Sequence, residues 1–520
     1  MGREALFRQS IFDTLRRSAA RHPNKLAVKH LNHQWTYAEL YDLCLCIANG
    51  LRERGIQTGD RVAILSRNSG TFIATRYAIA AAGAILVPVN FMLNTEGAAY
   101  ILKHSGAKLL FVGSEEKKLA ECAAQSCPQL DELIWMENFY GDETPSGFSS
   151  FESIISEHRF TGEPDLSLRA PAQVIYTSGT ESAPKGAVLS HEAVIWQYGS
   201  CQIDAEIQEN DKALHALPLY HCAQLDCFLG PSIQVGGTNI VTSDTSPENL
   251  LTLLSSEKIT SFFAPPTVWI ALLNHPLFDQ VDLSKLAKGY YGASIMPVEI
   301  MKELLRRLPY IRLWNLYGQT EIAPVATILK PEDQLRKPGA AGKPVIHVET
   351  RLVDDDGNDV ALGEVGEVVH RSPQLMTEYF NDPEKTAAAF SGGWFHSGDL
   401  ATKDSEGYIT IVDRKKDMIK TGGENVSGRE VEEAIYQYPG IEEVAVIGLP
   451  HPKWIEAVTA VVVAKKGSAV SEAALLEHCR AVLATFKVPQ KIIVVDTLPR
   501  NPSGKILKRD LRQTYSHSFS

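Results

Sequence analysis

The chain has 520 residues, 44% hydrophobic and 22% charged, enough for at least two domains with buried cores and composed like a globular protein. A net charge of -11 argues against nucleic acid or an anionic membrane as the main partner. Eight cysteines form neither C-x-x-C pairs nor His-flanked zinc spacings, so reduced thiols and no structural metal are expected.

The opening "MGREALFRQSIFDTLRRSAARH" is charged throughout and has no apolar run of the signal-peptide type, so a cytoplasmic setting is expected. In "WTYAELYDLCLCIANGLRERG" (35–55), Leu40, Leu43, Ile47 and Leu51 have helical spacing. "DRVAILS" (60–66) reads as a buried strand, and the helix "GTFIATRYAIAAAG" leads to the strand "AILVPV". The apolar stretch 77–89 is 13 residues long, too short to span a bilayer. A further helix-to-strand step ends in "AKLLFVG" (107–113), and this β-α-β rhythm predicts parallel α/β sheets. Residues 141–171 are rich in turn formers and are expected to run over the surface.

Texture changes at 348–412, where short strands alternate with Gly- and Asp-rich turns, predicting a small antiparallel β unit. The triple Asp 354–356 before Gly357 is hairpin chemistry. After "DRKKD" (413–417), Ser427 and Glu430 form a capping box, and Val431, Ala434, Ile435 and Tyr438 mark a helix face stopped at Pro439-Gly440. Strands 443–449 and 457–464, helix 471–484 and strand 491–496 complete an α+β unit of about 100 residues, a usual domain size.

Chemistry gathers in loops. "VIYTSGTESAPKGAVLSH" (174–191) offers Gly, hydroxyls and Lys185 to a phosphate, but not with G-x-x-x-x-G-K-[ST] spacing: Pro184 replaces the second Gly, and Gly186 stands where a metal-binding hydroxyl should be. "YYGASIMP" (290–297) mimics a nucleophile elbow, but Met296 occupies the position of its last Gly. "WNLYGQTE" (314–321) ends in hydroxyl, amide and carboxylate, "GGWFHSGDL" (392–400) sets Asp399 among glycines, and "PRNPSGKILKRDL" presents Lys505 on a turn.

In this order, "YTSGTESAPKG", "YGASIMP", "YGQTE", "WFHSGD", "DRKKDMIKTGGEN" and "PSGK" resemble the successive motifs of the adenylate-forming acyl-CoA synthetase superfamily. The resemblance runs from about residue 10 to about 512, with bacterial fatty-acyl-CoA ligases the nearest in wording. It implies a large N-terminal domain of α/β sheets plus a small β unit (1–412) that binds ATP and the acid. A hinge follows at 413–417, centred on Lys416, and then a mobile small α+β domain (418–520). The implied reaction converts a carboxylic acid and ATP to acyl-AMP and pyrophosphate, then transfers the acyl group to coenzyme A. Mg²⁺ is implied as cofactor, no nucleic acid is involved, and a homodimer is left open.

The resemblance also implies roles. Thr177, Ser178, Gly179, Thr180 and Lys185 embrace the leaving phosphates, and Thr180 and Glu321 serve the metal. Gly292, Ala293 and Ser294 face Tyr317 across the adenine, with Gly318, Gln319 and Thr320 following, Thr320 toward the α-phosphate. Asp399 and Arg414 match the ribose partners, and Lys505 the adenylation lysine. Lys420, Gly422 and Gly423 lie on the CoA face. His221 closes on the carboxylate, and Trp196, Cys222, Ala223, Gln224, Leu225, Gly292, Ala323 and Val325 surround the acyl group. That lining carries no fixed charge, so an ammonium would be buried unpaired there. A medium- or long-chain fatty acid is the first expectation and an aryl acid the second, with transfer to a carrier protein the alternative outcome. If Gly292 borders the acyl channel, Gly292→Leu is expected to favour shorter acids. Glu181 and Ser182 depart from the superfamily loop, and Glu181 is expected to point away from phosphates.

Overall fold

A computed structural model describes residues 9–519 apart from 165, 168, 178–183, 466, 469 and 501–505, and Asn138 by its backbone only. By packing, the chain divides into two compact units. One comprises the residues up to Thr177, Pro184–Glu349 and His370–Phe395; the other comprises Thr350–Val369 and the residues from His396 onward.

Among the described residues, the first unit holds two large sheets with parallel centres. In the eight-stranded sheet the order is Glu378–Tyr379, Lys185–Ser190, Pro171–Thr177, Ile85–Pro88, Arg61–Leu65, Leu109–Val112, Glu132–Trp135 and Ser149–Ser150. The nine-stranded sheet runs Lys343–Pro344, Val325–Leu329, Arg312–Gly318, Lys288–Gly292, Ser261–Phe263, Lys212–His215, Thr238–Val241, Leu26–His30 and His33–Thr36. From Arg312–Gly318 through Leu26–His30 its pairings are parallel, which puts the ends of those strands along one edge.

The helices follow from local chemistry. Thr36 caps Tyr37–Glu53 and Glu39 answers in a reciprocal capping box, while Leu40, Cys44, Ile47, Ala48 and Leu51 turn inward. Trp35 and Thr36 thus end a strand, where the sequence predicts helix from residue 35. The helix Gly70–Ala81 is buried along its whole length, as its mostly apolar and small residues require. It carries Arg76 into the interior, where Nη2 lies 2.5 Å from Asp226 Oδ1 and 3.0 Å from the Tyr198 hydroxyl. Gln173 Nε2 donates to the other Asp226 oxygen at 2.7 Å. These bonds hold the widened turn Leu225–Leu229 against helix and sheet.

Two expectations change. The 141–171 segment is not all surface: Phe151 and Ile154 are fully buried, and a Cβ on Gly50 would stand 1.8 Å from the Ile154 carbonyl oxygen. Nor is 348–412 one continuous β unit. Glu378–Tyr379 pairs with Ala187–Val188, and that antiparallel pairing draws 370–395 into the first unit.

The second unit has a four-stranded sheet ordered Glu349–Val353, Gly366–Arg371, Phe395–Lys403 and Ile409–Arg414. Asp354 closes its hairpin turn, accepting from the backbone of Asp356 and Asn358, with Gly357 at φ +82°. A second sheet is ordered Glu424–Val426, Ile419–Thr421, Ile455–Ala464 and Ile441–His451, with Lys491–Val495 parallel to Ile455–Ala464. The predicted capping residue Ser427 accepts from Glu430 N and starts the helix Gly428–Tyr436, which buries Val431, Ala434 and Ile435. Residues 413–417 lie inside this unit, from the end of the strand Ile409–Arg414 into the turn before the strand starting at Ile419.

Candidate active site

The strand Arg312–Gly318 buries Leu313, Trp314 and Leu316 and delivers Tyr317 and Gly318 to its carboxyl end. A Cβ on Gly318 would lie 1.9 Å from the Pro324 carbonyl oxygen, so only glycine permits the chain to double back here. One helical turn, Thr320–Ile322, then buries Thr320 and Glu321, 7% and 9% exposed. Glu321 Oε1 accepts from the Tyr379 hydroxyl at 2.9 Å, and its carbonyl from Met376 N at 2.8 Å.

Thr320 Oγ1 sits 3.3 Å from Cys222 Sγ, next to His221. Burial pushes the Cys222 thiol well above its ordinary range, so it packs here as a neutral group. His221 caps the short helix Cys222–Gln224 through Nδ1, which accepts from Ala223 N at 3.1 Å and leaves the neutral ring's proton on Nε2. Desolvation lowers the His221 pKa although the residue keeps an exposed edge, so the ring is neutral at pH 7.

Lys185 enters from the paired strands Pro171–Thr177 and Lys185–Ser190, where it stands opposite Thr177. Thr177 Oγ1 donates to the Lys185 carbonyl at 3.4 Å, and the Lys185 ammonium lies 5.0 Å above the Tyr379 ring. Lys185, Glu321, Thr320 and His221 are thereby joined through Tyr379 and Cys222. Tyr379 is absent from the residues picked out in the sequence. Its only sequence trace is a short aromatic run before Asn381-Asp382, which reads as a turn.

Gly292 ends the strand next to Arg312–Gly318, directly opposite Leu316. Beyond it Ala293 takes φ +65°, and Ala293 and Ser294 are exposed. Tyr317 and 292–294 thus stand at the carboxyl ends of adjacent parallel strands, where open α/β sheets bind ligands. Below them Cys227, Phe228, Phe263, Leu316, Ile322 and Val325 form one apolar cluster, with Ala223 packed on it. Phe228 and Phe263 stack with ring centres 4.4 Å apart. Ala323 is buried in the other large core. Gln224 is engaged inward: its amide meets His215 Nδ1 at 2.6 Å, and His215 Nε2 meets Asn239 Oδ1 at 2.9 Å. Burial lowers the His215 pKa to about 4, which keeps that network neutral. Trp196 is 41% exposed and edge-on to His347.

In the second unit, Asp399 and Arg414 are opposite each other on paired strands and form an ion pair, Nε to Oδ1, at 2.6 Å. Beside Lys416, Lys415 bridges Asp355 and Glu367 at 2.8 and 3.0 Å. Lys420 is exposed, its backbone N donating to Glu456. Gly422 and Gly423 adopt φ +60° and +91°, a left-handed pair that side chains rarely follow. Ser178, Gly179, Thr180 and Lys505 lie outside the described residues, as do Glu181 and Ser182.

The AMP-binding enzyme family model matches residues 15–380, and the C-terminal domain model of the same family matches 430–505. The chain belongs to the AMP-binding enzyme family. It is 37% identical to a feruloyl-CoA synthase of Amycolatopsis sp. over 500 residues, covering 96% of this chain and 98% of that one. To the long-chain-fatty-acid–CoA ligase FadD13 of Mycobacterium tuberculosis it is 35% identical, covering 92% and 93%. Its fold superposes on the anthranilate CoA ligase AuaEII, crystallised with anthranoyl-AMP, with a TM-score of 0.88, 28% identity and coverage of 98% and 97%. Membership makes this AMP-binding enzyme an adenylate-forming acyl-CoA ligase that uses ATP and CoA. No helix among the described residues is long and apolar enough to cross a membrane.

The geometry at Gly292 revises one expectation. A Cβ there would stand 2.6 Å from the Leu316 carbonyl oxygen, with Phe263 3.8 Å away, so a side chain meets backbone before any acyl group. Gly292→Leu should therefore lower kcat/KM for short, long and ring-bearing acids by one common factor. It should also lower the urea midpoint, since overpacking costs ~1–3 kcal/mol. A selective gain for shorter acids, with the midpoint unchanged, would restore the channel reading.

Proposed function

We propose that the enzyme activates an apolar carboxylic acid bearing a ring, as its adenylate, and passes the acyl group to CoA. The observation that carries the ring is the Phe228–Phe263 stack in the cluster shared by Ala223, Leu316 and Val325, beside the turn that holds Thr320. Aromatic rings in an apolar cluster favour a flat partner packed beside them by offset or edge contacts. A feruloyl-CoA synthase relative and an anthranilate ligase fold relative support the same class. A fatty acid is the second reading, favoured by the uncharged lining and the FadD13 relative.

The roles follow from charge. The acid is an anion attacking an anionic α-phosphate, so the reaction needs local positive charge and in-line placement. Lys185, with Thr177 and the loop 178–180, holds the departing phosphates. Thr320 donates to the α-phosphate, and Lys505 bridges it to the acid. Glu321 fits a Mg²⁺ that arrives on the nucleotide, because such ions take one or two carboxylates and keep phosphate oxygens. A Mg²⁺ held by Glu321 would supply positive charge to the phosphate oxygens. Neutral His221 closes on the carboxylate without adding charge. Tyr317 and 292–294 flank adenine, Asp399 and Arg414 take the ribose hydroxyls, and Gly422-Gly423 leave room for the thiol arm. The setting is cytoplasmic, where ATP and CoA are available.

Cinnamate, benzoate, octanoate, palmitate, acetate and phenylalanine, each with ATP, Mg²⁺ and CoA, separate the readings through pyrophosphate exchange and AMP release. The ring-bearing acids should give the highest kcat/KM. Palmitate ahead of both aryl acids would establish the fatty-acid reading instead, and acetate or phenylalanine in front would overturn the apolar site.

Adenylation and thioester formation make opposite demands on one carbonyl: a cation at the phosphate, then an open path for a thiol. Rotation about Lys416 meets both in turn. Lys505→Ala should lose ~2–4 kcal/mol of transition-state stabilisation in adenylation, a factor of about 10²–10³ in exchange rate. Given preformed acyl-AMP and CoA, it should still form thioester at near the parent rate, whereas Lys416→Pro should show the reverse pattern. Equal loss in both half-reactions for Lys505→Ala would end the two-face account.

A further inference from the structure

We infer that Tyr379 is a positioning residue for the nucleotide's metal ion: its hydroxyl orients the Glu321 carboxylate, and its ring seats the Lys185 ammonium. The inference rests on the reading of Glu321 as the metal-facing carboxylate.

Strand register places the tyrosine. Tyr379 pairs directly with Ala187, two residues beyond Lys185, so alternation puts Tyr379 and Lys185 on the same face as diagonal neighbours. Phe380 N donates to the Gly186 carbonyl at 2.7 Å, and Tyr379 N to Thr386 Oγ1 at 2.9 Å, so the backbone at 379 is held on both sides. From there the ring lies under the Lys185 ammonium, and the hydroxyl reaches Glu321 Oε1 at 2.9 Å. Tyr379 and Glu321 are 8% and 9% exposed, so water competes little for that bond.

The chemistry follows from this geometry. A phenol donating to a carboxylate makes a charge-assisted bond, and it occupies one oxygen on one side only. The remaining lone pairs stay free for a cation, now in a fixed direction. The ring face attracts the ammonium without neutralising it. Lys185 and Glu321, opposite charges in one site, each meet the tyrosine, and among the described residues no ion pair joins them. An ion pair between them would satisfy both charges and withdraw both from the nucleotide. Tyr379 therefore keeps a cation for phosphate and a carboxylate for metal available together.

Three variants of the full-length enzyme test this: Tyr379→Phe, which keeps the ring, Tyr379→Leu, which removes ring and hydroxyl, and Glu321→Gln as reference. Electron paramagnetic resonance titration of Mn²⁺-ATP reads metal-nucleotide affinity without turnover, and pyrophosphate exchange reads the Mg²⁺ half-saturation. Tyr379→Phe should raise both constants about tenfold or more, as expected for losing a hydrogen bond to a charged group. Its KM for the acid should not move, whereas a merely structural role would shift the acid KM together with the metal constants. Tyr379→Leu should add a fall in exchange kcat as Lys185 and Glu321 close on each other. Unchanged metal constants in Tyr379→Phe, with Glu321→Gln raising them, would overturn the inference. If Glu321→Gln left them unchanged as well, the Glu321 reading would fail first and take the inference with it.

Discussion

The candidate site depends on how closely the backbone doubles back after Gly318. With 1.9 Å between a would-be Cβ and the Pro324 carbonyl oxygen, no other residue allows the turn. That turn folds Thr320 and Glu321 out of solvent on one side and sends Ile322 and Val325 into the aromatic cluster on the other. One missing side chain thus sets both the polar and the apolar wall. Gly292 does the same work one strand away, where the Leu316 carbonyl fills the space a Cβ would need.

Charge is rationed around the turn. Burial keeps Cys222 protonated and desolvation lowers the His221 pKa, so these two neighbours of Thr320 are neutral at pH 7. Lys185 and Glu321 carry the formal charges of this run, with Tyr379 between their contacts. In a site of reduced dielectric, a few placed charges act more strongly than many solvated ones. This suits a reaction whose difficulty is the approach of two anions. In the second unit, Asp399 and Arg414 are instead held as a pair by strand register.

Much of this was legible in the sequence because it lies in contiguous motifs. The Tyr317–Glu321 loop and the Ser427 cap each announce themselves within a few residues. What stayed hidden depends on partners far away in the chain. Tyr379 is brought to Lys185 and Glu321 by pairing with a strand about 190 residues earlier, and no local pattern records that. Gln224 looks like pocket lining beside His221, but its amide is turned to His215 by a network ending at Asn239. Gly292 looks like open space in a one-letter string, and the neighbouring strand's carbonyl closes it. Phe151 and Ile154 sit in a turn-rich run whose composition says surface, yet both are buried in the core of the first unit.

The central claim is that the acid's own oxygen attacks the α-phosphate. Carboxyl-¹⁸O-labelled cinnamate, turned over with ATP and CoA, tests it most directly by mass analysis of the products. Attack at the α-phosphate, followed by expulsion of AMP from the adenylate, must leave one ¹⁸O in the phosphate of AMP and none in pyrophosphate. Label in pyrophosphate or inorganic phosphate, with unlabelled nucleotide, would contradict the account.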